Sequence, residues 1–324
     1  MKPLTFAVLR LLADGEFHSG EDLARVLKLS RASVWGALQG AEALGLTLYK
    51  VRGRGYRLAE PLQWLDKKRI QSTLGKQAKR FSLELMDCVD STNTMLLQQA
   101  TRGATSGSVV VAEWQTQGRG RHGRSWQANL GGALTFSLLW RFESGVGFLS
   151  GLSLAVGVAL ARALKKLGVD VDLKWPNDVL HHYRKLAGIL IEVQGDVLGP
   201  SFAVIGIGLN LKLAQAVRNG IDQAVTDVYS VTGARPDRDQ TLALLLVKLA
   251  EVLDEFALQG FAALRTEWQG LHAYRERNIK IRLADGKVEE GKAVGVDESG
   301  ALLLRSGKSE RRYNSGEISL RIKR

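Results

Sequence analysis

Residues 118–126 read Gly118-Arg119-Gly120-Arg121-His122-Gly123-Arg124-Ser125-Trp126, and the segment directly after them decides the fold. The spacing satisfies G-x-G-x-x-G, the fingerprint of dinucleotide-binding folds. That fingerprint works where a helix opens directly after the glycines, so that its N-terminus holds the pyrophosphate. Here the chain continues as Gly131-Gly132-Ala133-Leu134-Thr135-Phe136-Ser137-Leu138-Leu139-Trp140, apolar and aromatic at strand length, which predicts a strand. The dinucleotide reading fails on that context. The loop then reads as a clasp for an anion: its glycines let the backbone approach a ligand, and three arginines supply fixed, bidentate donors for oxyanions. A solvated basic loop is the plainer alternative.

Further clusters flank this loop. Asp90-Ser91-Thr92-Asn93 is suited to cap a helix beginning at Thr94, and its hydroxyls equally suit a small polar ligand. Gln115 ends a strand-like run, where one amide offers both a donor and an acceptor. Lys174-Trp175-Pro176-Asn177-Asp178 sets a cation, an indole, an amide and a carboxylate where a strand ends in a turn, the usual ligand position in α/β sheets. In Arg184-Lys185-Leu186-Ala187-Gly188-Ile189-Leu190-Ile191-Glu192, Lys185 starts an apolar strand, a costly place for a charge without an anionic partner. Gly206-Ile207-Gly208-Leu209-Asn210 is a glycine-rich strand end suited to close packing against a flat ligand. Together these supply cations for a polyanion, while Trp126, Gly188 and Leu190 offer an apolar surface. The set fits activation of a carboxylic acid by ATP, which needs charge neutralisation and alignment more than a nucleophilic triad.

The flanking segments read differently. Helical periodicity from Thr5 to Leu12, the Ser19 to Asp22 cap, and a third helix capped by Ser30 with Val34, Leu38, Ala41 and Leu44 inward make a winged helix-turn-helix. Arg31, Ser33 and Gln39 are expected to face outward as groove readers. Arg52-Gly53-Arg54-Gly55 turns between Leu48–Val51 and Tyr56-Arg57-Leu58, a wing with Arg52 and Arg54 for phosphates. Trp35 and Gly36 stand mid-helix where a base reader needs polar or cationic groups, so a protein-contact module stays open. Helices are predicted over residues 151–167 and 239–256, strands over 185–193 and 202–207, and the uncharged run 145–161 as a buried helix. From Arg277 short alternating strands separated by Ser-Gly and Asp-Gly turns read as a small β-barrel.

The chain has 324 residues, 45% hydrophobic and 24% charged, enough for two or three globular domains. A net charge of +12 favours anionic partners. The single cysteine, Cys88, excludes an internal disulfide and a multi-thiolate zinc site, and core packing is its expected role. His122 and the His181-His182 pair lack the neighbours of a metal site. With no signal-peptide pattern and no run of the roughly 20 apolar residues a membrane span needs, a cytoplasmic protein is expected.

Residues 118–124, 174–178 and 184–191, with Ser91-Thr92-Asn93, give the chain a close resemblance to the bifunctional biotin protein ligases that are also biotin operon repressors, over essentially its full length. The resemblance implies a multidomain α/β protein: an N-terminal winged helix-turn-helix (residues 1–60), a central α/β ligase domain with a mixed sheet (61–271) and a C-terminal SH3-like β-barrel (272–324). It implies that biotin and MgATP form biotinyl-5′-AMP, and that a lysine of biotin carboxyl carrier protein then takes the biotin. Lys185 and Arg121 would be catalytic. Ser91, Thr92, Asn93, Gln115, Arg119, Gly120, Arg121 and Lys185 would bind biotin. Gly118, Arg119, Arg121, Trp126, Lys174, Asn177, Asn210 and Arg321 would bind the adenylate, and Asp178 would hold Mg²⁺. The adenylate would also drive homodimerisation and operator DNA binding. Val225 stands where the family commonly has tryptophan, which removes an aromatic stack from the adenine. A lipoate-type ligase and a ligand-sensing regulator without ligase activity are the competing readings.

Overall fold

The computed structural model describes residues 3–283 and 286–314, and residues 319–322 as backbone. At the N-terminus α1 (Pro3–Leu11), α2 (Gly20–Leu27) and α3 (Arg31–Leu38) pack around Phe6, Leu9, Leu23, Val34 and Leu38, and the hairpin β1 (Leu48–Val51) and β2 (Gly55–Leu58) forms the wing. Ser19 and Ser30 cap their helices as the sequence requires, each accepting a backbone N–H three residues on. Ala41 and Leu44 are buried beyond the end of α3, in a turn and a short 3₁₀ segment rather than on the helix itself.

This domain is docked on the next. Leu130 of the central domain is buried in the winged-helix core, and its N–H donates to Leu44 O at 2.9 Å. Arg10 forms a two-pronged ion pair with Asp87, at 2.6 and 2.9 Å. Cys88 packs at the same seam, half-buried, and burial pushes its thiol up. A cavity of about 180 Å³ lies along the seam, where Glu60 is held by Lys212 and Arg235.

The central domain is a seven-stranded mixed sheet. It contains α4 (Lys67–Leu74), β3 (Ser82–Val89), α5 (Thr92–Thr101), β4 (Ser108–Gln115), β5 (Ala133–Phe142), α6 (Leu152–Lys166), β6 (Asp172–Lys174), β7 (Asp178–His181), β8 (Arg184–Gly195) and β9 (Ser201–Asn210). Then come α7 (Gln215–Asn219), α8 (Val228–Thr232), α9 (Arg238–Gln259) and α10 (Ala262–Gly270). Strand order is β3-β4-β5-β9-β8-β7-β6, with only β3 and β4 parallel. Alternation sorts the two faces. Leu134, Phe136, Leu138, Ile205, Ile207 and Leu209 join the core that includes α6 and α9, whereas Thr135, Ser137, Gly206 and Gly208 face the other way. There α5 covers part of the surface through Leu96 and Ala100 against Val110, Leu139 and Val204.

Two predicted boundaries shift. The run 145–161 is not one helix: residues Val146–Leu149 are 3₁₀ and α6 starts at Leu152. Gly151 breaks it with a φ of 78°, seated so closely on Phe261 that a Cβ would lie 2.7 Å from the side chain. Helix α5 begins at Thr92 rather than Thr94, and the Ser91 hydroxyl makes no capping bond.

The C-terminal strands β10 (Asn278–Arg282), β11 (Val288–Val296), β12 (Leu302–Ser306), β13 (Ser309–Tyr313) and β14 (Ser319–Ile322) make an antiparallel sheet in the order β13-β12-β11-β10-β14. No pairing closes β13 onto β14 among the described residues, so the structure gives a small antiparallel sheet in place of the expected closed barrel. The predicted turn at Ser315-Gly316 lies outside the described residues.

Candidate functional site

The site begins as a register row across the open sheet face. Cα partners run Ala112–Thr135, Thr135–Gly208, Gly208–Gly188, Gly188–Asp178 and Asp178–Lys174. Small side chains in the middle of the row leave a trough, and charged ones stand at one end. Trp126, at the exit of the arginine loop, lies on this trough: a Cβ added at Gly208 would sit 2.4 Å from its ring, and one at Gly188 would sit 3.2 Å from it. Only glycine admits the indole so close to the strands. The buried indole N–H meets no hydrogen-bond partner among the described residues.

One end of the trough is a polar nest at the start of α5. Gln115 Oε1 accepts from the Thr92 N–H at 2.8 Å and from its hydroxyl at 3.2 Å, so the side chain of one strand end satisfies a helix N-terminus. Ser137 Oγ donates to Asn93 Oδ1 at 2.6 Å and stands 2.8 Å from Thr92 Oγ1. Ser91, Thr92, Asn93 and Ser137 are all buried. Ser137 escaped the sequence reading; its signal was a hydroxyl two residues from Thr135 inside an apolar strand. The Asn93 amide donates to Leu190 O at 3.2 Å and to Glu192 Oε2 at 2.8 Å.

The other end is cationic. Lys185 Nζ meets Asp178 Oδ1 at 2.7 Å, both side chains less than one-fifth exposed, which supplies the anion its burial demanded. The same ammonium lies 5.9 Å from the Trp126 ring centroid. Arg121 is half-buried and reaches Asn177 Oδ1 at 3.4 Å, while Asn177 Nδ2 donates to Ile189 O at 2.8 Å. Burial pulls the Arg121 guanidinium below its ordinary range, Asp178 opposes this, and Arg124 adds to it. Lys174 sits half-buried across the register from Asp178.

Loop backbones close over the row. Trp126 N–H donates to Gly118 O at 2.8 Å and Gly120 N–H to Arg124 O at 2.7 Å, folding the arginine segment back on itself. The arginines divide: Arg119 turns to Glu192, at 2.9 and 3.1 Å, and not to the cationic end where Arg121 lies. A second loop, residues 211–227, joins through Lys185, whose N–H donates to Ala224 O while its own C=O accepts from Thr226 N–H, both at 2.9 Å. Asn210 Nδ2 donates to Thr226 O at 3.0 Å and approaches Lys185 O at 3.4 Å, so this side chain braces the second loop. Arg321 lies in β14, and its side chain is outside the described residues.

On the winged helix, Arg31, Gln39, Arg52 and Arg54 are exposed, with Arg54 stacked 4.2 Å over Phe17. One groove reader differs from expectation: Ser33 is half-buried and tied 2.8 Å to the capping Ser30. Gln39 faces outward as the C-cap of α3. Trp35 is half exposed on the same helix. No helix among the described residues is long and apolar enough to cross a membrane.

Comparison with known proteins bears on this arrangement. The biotin/lipoate A/B protein ligase family matches residues 85–210, the biotin protein ligase C-terminal domain residues 276–321, and a helix-turn-helix domain residues 5–57. The bifunctional ligase/repressor BirA of Salmonella typhimurium is 38% identical over 98% of this chain and 97% of its own length. The biotin--[acetyl-CoA-carboxylase] ligase of Mycobacterium tuberculosis is 31% identical over 81% of this chain and 97% of its own. Among solved structures, biotin protein ligase from Aquifex aeolicus in complex with biotin and ATP superposes with a TM-score of 0.65 at 31% identity, covering 75% of this chain and 99% of that one. The chain belongs to the biotin protein ligase family, in its bifunctional ligase/repressor form.

Proposed function

We propose that the protein is an ATP-dependent biotin protein ligase that also represses transcription of the biotin biosynthesis operon in response to biotin. The observation that carries this is the glycine trough between a neutral hydrogen-bonding nest and a buried cationic end, on a chain that also bears a helix-turn-helix. A flat, neutral bicyclic head with a carboxylate tail matches that polarity. Biotin's head takes the nest of Ser91, Thr92, Asn93 and Gln115, with Arg119 and Gly120 above it. Its tail runs past Gly208 and Gly188 to Lys185.

A biotin carboxylate oxygen then attacks the α-phosphorus of ATP and pyrophosphate leaves. Lys185 and Arg121 neutralise the charge that builds where two anions meet, and Lys174, Asn177, Gly118 and Trp126 contact the adenylate. Asn210 supports it through the second loop, and Arg321 is the C-terminal contribution. Covering by the 118–126 loop protects the mixed anhydride from water. In the second half-reaction a lysine amine of biotin carboxyl carrier protein attacks the acyl carbon, and AMP departs.

Mg²⁺ fits as an ion carried in on the triphosphate. No group of three or more His, Cys, Asp or Glu side chains forms a protein cage among the described residues, and Asp178 is the carboxylate available beside the phosphate end. The ion would neutralise phosphate charge.

The same reading divides the chain at residues 60 and 271 and makes the C-terminal strands an SH3-like barrel. Biotinyl-5′-AMP drives homodimerisation, for which the exposed Val197 and Leu198 supply apolar surface, and the paired winged helices then engage operator DNA. The protein works in the cytoplasm.

Pyrophosphate release by purified protein with MgATP and biotin, with lipoate and octanoate in parallel and a carrier domain as acceptor, tests the ligase. Biotin-dependent release with carrier labelling is expected. Release with lipoate alone, or with none of the acids, overturns it.

A further inference from the structure

Glu192 is a carboxylate on a strand that is otherwise apolar around it, and it faces the trough. Counting back by two along β8, Leu190 and Gly188 share its face. Its position at the rim is partly exposed, and its two oxygens receive three hydrogen bonds. Asn93 Nδ2 donates to Oε2 at 2.8 Å, and Arg119 Nη2 donates to Oε2 at 2.9 Å and Oε1 at 3.1 Å. One side chain thus grips the polar nest and the arginine loop together.

Both ends of this grip matter. Asn93 is already crowded in place: a Cβ at Gly206 would lie 2.2 Å from its Oδ1, and Ser137 donates to that same oxygen. The carboxamide therefore presents its NH₂ to Glu192 in a fixed direction. The loop's side-chain hydrogen bonding to the charged end of the sheet, by contrast, is a single long contact among the described residues, Arg121 to Asn177 at 3.4 Å. Its shortest side-chain tether to the sheet among the described residues is Arg119 to Glu192.

We infer that Glu192 is a positioning residue that latches the 118–126 loop over the bound intermediate by holding Arg119. Resting on the ligase reading, the latch also assigns the two arginines different work: Arg119 fastens the loop to the protein, leaving Arg121 for the phosphate end. Because a partly exposed, charge-assisted pair is modest in strength, its loss shifts the loop's open–closed balance by about fivefold.

The loop carries its own reporter, since trypsin cleaves after Arg119, Arg121 and Arg124. In the full-length protein without substrates, Glu192→Gln is expected to be nicked at residues 121 and 124 about fivefold faster, and Glu192→Asp by an intermediate amount. With substrates, biotinyl-5′-AMP should dissociate about fivefold faster and the KM for biotin should rise more than kcat falls. In an Arg119→Ala background, adding Glu192→Gln should change nicking little, because the latch is already gone. An unchanged nicking rate in Glu192→Gln, or its full effect persisting on Arg119→Ala, overturns the latch. The nicking assay uses neither biotin nor ATP, so a latch that holds in a protein releasing no pyrophosphate would fault the ligase reading and leave the latch intact.

Discussion

Adding one methyl group at Gly208 tests whether the trough is the ligand surface. The new Cβ would stand 2.4 Å from both Cε2 and Cζ2 of Trp126, where carbon atoms settle at about 3.5–4.0 Å. The indole must therefore retreat by roughly 1 Å. Overpacking of this size costs about 1–3 kcal/mol, but here the yielding element is a partly buried loop residue rather than the core. The cost then falls on ligand binding more than on folding. A wall displaced by about 1 Å along the tail of the bound acid is worth up to about a hundredfold. Gly208→Ala should raise the KM for biotin in the pyrophosphate assay by about 10- to 100-fold, with a thermal midpoint within a few degrees of wild type. Gly147→Ala is the control, because nothing lies within 4 Å of a Cβ there. A KM within twofold of wild type in folded Gly208→Ala would refute the assignment of the trough.

Other perturbations probe separate parts of the molecule. Lys185→Ala should lower adenylate formation by about 10²–10³-fold with an unchanged far-ultraviolet spectrum, and a wild-type rate would remove Lys185 from the chemistry. His272 is buried with both ring nitrogens unpartnered among the described residues, and burial, aided by Arg275, pulls its pKa down to about 4. Its native form resists protonation, so stability is full above the unfolded pKa of about 6.5 and falls as pH drops toward 4, by about 2 kcal/mol at pH 5. Urea unfolding at pH 7 and pH 5 should show that loss, and His272→Phe should reduce it. For DNA, Arg52→Ala should shallow the slope of log K against log salt by about 0.9 if Arg52 neutralises one phosphate; an unchanged slope would take the wing off the backbone.

How far the sequence reveals this protein depends on the range of the interaction concerned. Period-two alternation in β5 sets Thr135 and Ser137 against Leu134, Phe136 and Leu138, so the two faces of the sheet are readable from one strand. The capping serines of α2 and α3 are readable too, because a cap is satisfied within three residues. Register is not. That Thr135, Gly208, Gly188 and Asp178 fall in one row depends on how four separate strands slide past one another, β5 and β9 being distant in the chain, and one residue of slip would send each to the other face. Glu192 was missed for the same reason: its signal, an acid in an apolar strand, gains meaning only once Arg119 arrives from 73 residues away. Residues 145–161 failed as a single helix because Gly151 answers to Phe261, a contact no local window contains.

The cationic end of the trough faces an electrostatic conflict that its geometry resolves. Binding a polyanion requires several positive groups, yet positive groups packed together before the ligand arrives repel one another and lose hydration. Lys185 is neutralised in advance by Asp178 at 2.7 Å, and Arg119 is drawn off to Glu192. Arg121, whose guanidinium burial already disfavours, would gain from an arriving phosphate. On the proposed function, the carboxylate of Asp178 would then share Lys185 with the reacting groups. A metal ion entering on the triphosphate would compensate Asp178 for that loss.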